Sequence, residues 1–236
     1  MFGYGYYGFF DPTIVLVAIG VLLSLAASAR VNSTYARFSR VRSMTGMTGA
    51  QAARELLRSQ GIYDVEIRRV AGNLTDHYDP RTKTVNLSES VYDSASVAAI
   101  GVAAHECGHA MQDSESYAPL KIRGAIVPVV NISAQLSWPI IILGVFLGGF
   151  GSSMVSLGIL MFSLSVLFQL VTLPVEFNAS SRAVRLLDSM GILRGEEVGY
   201  TRQVLGAAAL TYVAAAAGSI LQLLRLVILF GGRRDE

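Results

Sequence analysis

His105-Glu106-Cys107-Gly108-His109 fits the pattern H-E-x-x-H. On a helix, residues four apart lie about 40° apart around the axis and one turn apart along it, so both imidazoles reach a single ion. A zinc ion held in this way lowers the pKa of bound water toward about 7, and a glutamate beside the first histidine takes the proton. The pattern therefore points to a zinc hydrolase with Glu106 as its base. That chemistry requires the motif to lie on a helix. Ser96-Val97-Ala98-Ala99-Ile100-Gly101-Val102-Ala103-Ala104 leads into it with good helix formers and no proline. Cys107 follows His105 by two residues, about 200° around the helix, which turns it away from the metal and makes it a small packing residue.

A catalytic zinc needs three protein ligands, with the fourth position left for water. The chain contains three histidines, and the one outside the motif is His77. The third ligand is thus His77 or a carboxylate.

The elements that must position these groups are not those of an ordinary soluble domain. Of 236 residues, 52% are hydrophobic and 15% charged, and the mean hydropathy is +0.48. This composition implies a membrane protein. A net charge of +2 gives no hint of nucleic acid, and the single cysteine excludes an intramolecular disulfide. Residues 12–29 form an apolar run without a charge. Residues 124–175 carry no charged side chain and no histidine, a length suited to two spans joined at Gly148-Gly149-Phe150-Gly151-Ser152-Ser153. Residues 203–224 form a further uncharged stretch, and after Arg225 the chain stays apolar to Phe230.

Ala27-Ser28-Ala29 resembles a signal-peptidase site, but no basic residue precedes the first span, so an uncleaved anchor is expected. The aromatic and glycine residues 1–10 suit the membrane interface. Arg30, Arg37, Arg40 and Arg42 follow the span without an acid among them. The positive-inside rule then places residues 30–123 in the cytoplasm, and the hairpin at 124–175 returns the chain to that side. Glu176, the first charge after the hairpin, comes at the mouth of the membrane on the same side as the His105 helix, in a segment that reads as a helix. The helix dipole also favours a glutamate in a first turn, but a histidine pair short of one ligand favours coordination. The expected organisation is 1–29, an aromatic segment and first transmembrane helix; 30–123, a cytoplasmic catalytic part; 124–175, a transmembrane hairpin; 176–202, a cytoplasmic helix with the third ligand; and 203–236, an apolar helix either membrane-embedded or interfacial. A full crossing of the last would put Arg233 and Arg234 outside, against the positive-inside rule.

Within the polar part, Thr48-Gly49-Ala50-Gln51 matches a capping box for a short helix ended by Gly61. Val65 to Val70 and Lys83 to Ser88 alternate as strands, with turns on either side of Asp76-His77-Tyr78. Residues 82–88 are the candidate edge strand for holding a substrate backbone.

The motif resembles, together with Leu74-Thr75-Asp76-His77-Tyr78-Asp79-Pro80, Gly101-Val102-Ala103-Ala104-His105-Glu106 and Leu173-Pro174-Val175-Glu176-Phe177-Asn178-Ala179-Ser180, the YugP-type neutral zinc metallopeptidases, which are bacterial membrane proteins. The resemblance covers about residues 1–230. The arrangement is also similar to the HtpX and CAAX-type membrane peptidases, which are gluzincins. It implies His105, His109 and Glu176 as zinc ligands and Glu106 as catalytic base. In HtpX-like peptidases an aspartate follows the ligand glutamate by four residues; here that position is Ser180, with Asn178 nearby, and either can hydrogen-bond a ligand histidine. His77 and Arg182 are candidates for binding substrate or the transition state.

The expectation is a mainly α membrane protein: transmembrane helices plus a small α+β gluzincin-like zinc peptidase domain. It would be a multi-pass protein of the bacterial inner membrane that cuts membrane-associated proteins or peptides from the cytoplasmic side. Its partners would be the lipid bilayer and a protein or peptide substrate, without nucleic acid; homo-oligomer formation stays open. The rival reading is a non-catalytic zinc-containing membrane partner, against which Glu106 argues, since a structural site needs no base. A transporter is disfavoured because residues 124–175 contain no ionisable group.

Overall fold

The computed structural model describes residues 11–231. The expected interfacial role of residues 1–10 and the placement of Arg233 and Arg234 lie outside them. The element order is α1 (Ile14–Phe38), α2 (Gly49–Ser59), β1 (Glu66–Val70), β2 (His77–Asp79), β3 (Thr84–Ser88), α3 (Glu89–Tyr92), α4 (Val97–Ser114), α5 (Ala118–Phe146), a 3-10 turn at Gly148–Gly151, α6 (Ser152–Ser189) and α7 (Glu196–Phe230). The chain is mainly helical with a small mixed sheet, and α1, α5, α6 and α7 are long and apolar enough to cross a membrane. It divides into two units, one of residues 11–26, 125–170 and 213–231, the other of residues 27–124 and 171–212.

In the first unit, small residues let helix backbones approach. A side chain at Gly151 would fall on the Gly144 carbonyl, and one at Gly158 would meet Ile141 and the Ser137 carbonyl. A Cβ on Gly20 would come within 3.1 Å of the Gly218 Cα, so α1 and α7 touch at paired glycines. Close contact through small residues is how helices associate where lipid is as apolar as leucine. Large apolar side chains such as Leu22, Leu143, Phe146 and Leu160 point outward, as in a unit solvated by hydrocarbon rather than water. Asp11 opens α1: its carboxylate accepts from the Thr13 backbone N–H at 2.9 Å and pairs with Arg225 Nη2 at 2.7 Å and Nε at 3.1 Å. Asp11 with Arg225 and Gly20 with Gly218 therefore set α1 and α7 side by side and antiparallel.

In the second unit, α4 runs through the core. Ser96 caps it by accepting from the Ala99 N–H at 3.2 Å. Its flank against α2, with Ala99, Ala103 and Cys107, packs in one core with Ala53 and Leu56 of α2. Helix α2 carries the capping box: Thr48 Oγ1 accepts from the Gln51 N–H, and Gln51 Oε1 accepts from the Thr48 N–H at 2.9 Å. The sheet order is β1-β3-β2, with β1 parallel to β3 and β2 antiparallel to it. Residues 82–88 thus do not provide an edge: β3 is the central strand, buried along its length and paired on both sides. The segment around His77, read as a turn region, supplies the third strand and takes the edge.

The polarity boundaries in the sequence are not element boundaries. Helix α6 runs unbroken from Ser152 through Glu176 to Ser189, so no new helix opens at 176, and Glu176 is not a first-turn residue. A change from apolar to charged side chains alters what surrounds a helix without interrupting its backbone bonds. Pro174 is accommodated inside α6. The break comes at Gly191 and Gly195, with φ of +65° and +55°, conformations glycine adopts without strain. Helix α7 then starts at Glu196, not at 203, with Glu196 and Glu197 in its first turn, where the helix dipole favours acids.

Candidate metal centre

Helices α4 and α6 cross at Gly108. A Cβ there would lie 2.7 Å from the Ala179 carbonyl oxygen and 3.0 Å from its Cα. Gly108 sits between the motif histidines, and Ala179 sits between Glu176 and Ser180, so this backbone contact sets the depth at which the three side chains meet. His105, His109 and Glu176 bring their ligand atoms within 4.8 Å of one another. His105 Nε2 is 3.2 Å and His109 Nε2 is 3.5 Å from Glu176 Oε2. Donors about 2.0–2.1 Å from a tetrahedral zinc stand about 3.3 Å apart along the tetrahedron's edges. The three donors thus fit zinc in kind, and the two histidine–glutamate distances match that edge, with all three atoms within 4.8 Å of one another.

Each imidazole is turned by its other nitrogen. His109 Nδ1 is 3.0 Å from Gln112 Oε1, and His105 Nδ1 is 3.1 Å from Ser180 Oγ. With Nδ1 held by these oxygens, each Nε2 is turned toward Glu176 Oε2, paired with the carboxylate here and able to offer its lone pair to a metal once deprotonated. Gln112 is wholly buried, and its amide donates to the Val175 carbonyl at 2.8 Å and to Asn178 Oδ1 at 3.0 Å. Asn178 Oδ1 also accepts from Arg182 Nε at 2.7 Å, and Arg182 Nη1 pairs with Glu115 at 2.6 Å. Of the two polar residues after Glu176, Ser180 therefore meets a histidine directly, and Asn178 does so through Gln112. Arg182 is tied into the same network between α4 and α6.

Glu176 is 2% exposed. Its Oε1 accepts from Arg123 Nη1 at 3.1 Å. Burial pulls the His109 imidazole down, but the hydrogen bond to Glu176 and the charges of Glu106 and Glu176 outweigh it and raise its pKa. Glu106, next to His105 on α4, is buried, and its carboxylate makes no hydrogen bond or ion pair among the described residues. The Tyr212 phenol lies within the field of Glu176, Glu106 and Arg123. Cys107 is fully buried on the other flank, with Sγ 3.6 Å from the Ala53 carbonyl. Burial pushes its thiol up, and it packs in the core.

His77 is not brought into the cluster of three ligand atoms. Its Nδ1 meets the Thr75 carbonyl at 2.9 Å and its Nε2 meets Asn86 Nδ2 at 3.2 Å, so both ring nitrogens have partners. Beside it, the Tyr78 hydroxyl donates to Asp113 at 2.8 Å and Lys83 Nζ to the same oxygen at 2.7 Å, which fastens β2 and the β2–β3 turn to the end of α4. Sequence reasoning missed Gln112, Arg123 and Tyr212. Gln112 was legible, three residues after His109 on the same helical face. Arg123 left only the trace of being the last charge before the uncharged stretch, and Tyr212 left none.

Comparison with known proteins agrees with this geometry. A family model described as "Putative neutral zinc metallopeptidase" matches residues 13–231. A "Putative membrane protease YugP" of Bacillus subtilis (strain 168) is 48% identical over 223 residues, covering 94% of this chain and 97% of the relative. No solved structure matches the chain. The family match takes in the four long apolar helices together with the three converging donors, and on that extent the chain belongs to the family described as neutral zinc metallopeptidases.

Proposed function

We propose that the protein is a membrane-anchored zinc endopeptidase of gluzincin-like arrangement, hydrolysing peptide bonds of membrane-associated proteins or peptides at the cytoplasmic face of the bacterial inner membrane. The observation that carries this reading is the convergence of the His105, His109 and Glu176 ligand atoms within 4.8 Å of one another, beside the unpaired carboxylate of Glu106. Neither oxygen of Glu106 is engaged by a protein partner among the described residues, and both stay accessible; a site that only held a metal would have no use for such a group. When bound, zinc supplies a Lewis acid and lowers the pKa of a coordinated water. Glu106 accepts the proton of the attacking water and returns it to the leaving amine. Ser180 and Gln112 keep both imidazoles turned inward, and Gly108 keeps α4 against α6.

Four arginines, Arg30, Arg37, Arg40 and Arg42, support a cytoplasmic second unit. The antiparallel pairing of α7 with α1 supports a full crossing by α7, because a helix lying along a spanning helix shares its depth. The test is cleavage of casein by detergent-purified wild type, Glu106→Gln and a chelated sample, with zinc measured on each. Cleavage by wild type alone, with one zinc retained by Glu106→Gln, is the expected result. Zinc in wild type with equal cleavage by Glu106→Gln would remove Glu106 as the base.

A further inference from the structure

We propose that Arg123 is a positioning residue of the metal centre, which holds one oxygen of Glu176 so that the carboxylate presents only the other to the histidine pair. This rests on reading the three donors as a zinc site. The carboxylate is divided between the histidine pair and Arg123: Oε2 faces His105 Nε2 at 3.2 Å and His109 Nε2 at 3.5 Å, while Oε1 accepts from Arg123 Nη1 at 3.1 Å. A carboxylate so nearly excluded from water needs a compensating charge or donor on each oxygen. Arg123 supplies both to Oε1. The Arg123 side chain is itself 30% exposed against 3% for that of Glu176, so the pair runs from the buried ligand outward.

The arginine comes from the start of α5, an element that provides no ligand. The histidines stand on α4 and the glutamate on α6, so Arg123 ties a third helix to the centre. The consequence for metal binding is a choice of mode. A free carboxylate can close both oxygens onto a cation, which occupies a further coordination position. A carboxylate with one oxygen engaged by a charged donor binds through a single oxygen. A hydrolytic centre needs that further position open. The guanidinium is always charged, so the restraint holds at any working pH.

The experiment uses the full chain in detergent, zinc titrated in chelator buffers, and cobalt(II) as a spectroscopic probe. The variants are Arg123→Met, Arg123→Lys and Glu176→Gln, with thermal unfolding of each metal-free protein as the check on folding. Arg123→Met is expected to bind one zinc with affinity reduced about 10–100-fold, the usual effect of losing a partner to a metal ligand. Its cobalt visible absorption should fall as the second oxygen joins the coordination shell, and Arg123→Lys should recover most of both properties. Wild-type affinity and an unchanged cobalt spectrum in a folded Arg123→Met, with Glu176→Gln still losing zinc, would overturn the role of Arg123 alone. Unchanged zinc affinity in Glu176→Gln would overturn the metal centre and this proposal with it. Should Arg123→Met not fold, Arg123→Ala is read in its place by the same two measurements: reduced zinc affinity with weaker cobalt absorption supports the role, and wild-type values in a folded protein overturn it.

Discussion

Two imidazoles can share one ion only if both rings are turned correctly, and here the turning is done by the nitrogens that face away from the centre. Gln112 does this for His109, and because it also donates to the Val175 carbonyl and Asn178, it ties His109 to the α6 backbone beside Glu176. Gln112→Ala should lower zinc affinity about 10–100-fold and destabilise the protein by about 1–3 kcal/mol through its unpaired buried partners. Chelator competition and thermal unfolding read the two effects, and wild-type affinity in the variant would sink the role assigned to Gln112. Ser180→Ala should lower zinc affinity by less, since it removes one hydrogen bond to His105 where Gln112→Ala removes three. The ligands were legible because a metal fixes residue types and spacing: H-E-x-x-H names two of them, and the missing ligand was sought among few charges. Arg123 was not legible, because an ion pair across 53 positions of chain leaves no periodicity.

At the scale of elements, the close approach of α4 and α6 rests on one hydrogen atom in place of a side chain. Gly108→Ala puts a methyl 2.7 Å from the Ala179 oxygen, and backbone there has little room to yield. The variant should lose about 1–3 kcal/mol as an overpacked contact and bind zinc more weakly, because the separation moves Glu176 from the histidines. Cys107→Ala, one position away on the α2 flank, should keep its zinc; equal loss in both would mean that α4 is merely intolerant of change. A second element contact carries a pH dependence. Partial burial raises the Asp113 carboxyl, but the hydrogen bonds from Lys83 and Tyr78 outweigh it and hold the group below its ordinary value of 3.8. A depressed folded-state pKa contributes stability above the ordinary value, and that contribution is lost as pH falls through the lower one. Wild type should therefore exceed Asp113→Asn in stability by about 0.2–1 kcal/mol near neutrality, with the gap closing below about pH 4. A gap that did not narrow at all as pH falls below the ordinary value of 3.8 would refute the ion pair as its source. Helix existence was legible from hydrophobic runs, while helix ends at 175 and 203 were not, because those boundaries marked where the surroundings change. The central place of β3 was hidden for a related reason: Lys83 to Ser88 reads as alternating, yet the sheet order depends on a three-residue strand, His77–Asp79, too short to signal itself.

At the scale of the molecule, the direction of the last helix decides where the chain ends, and charge bias and geometry disagree about it. The basic residues after Phe230 argue for retention on the cytoplasmic side. The contacts argue for a crossing: α7 meets α1 at Gly218 with Gly20, and Arg225 reaches Asp11 at the opening of α1. A charge pair between the beginning of one span and the far part of another can form only if both reach the same depth, and it would offset the cost of leaving Arg225 in an apolar stretch. A periplasm-active reporter fused after residue 236 should therefore be active, and one fused after residue 45 inactive. Exchanging the pair as Asp11→Arg with Arg225→Asp should restore much of the thermal stability that either single change removes. A silent reporter at the C-terminal fusion together with additive single-mutant losses would return α7 to the membrane surface and leave three crossings.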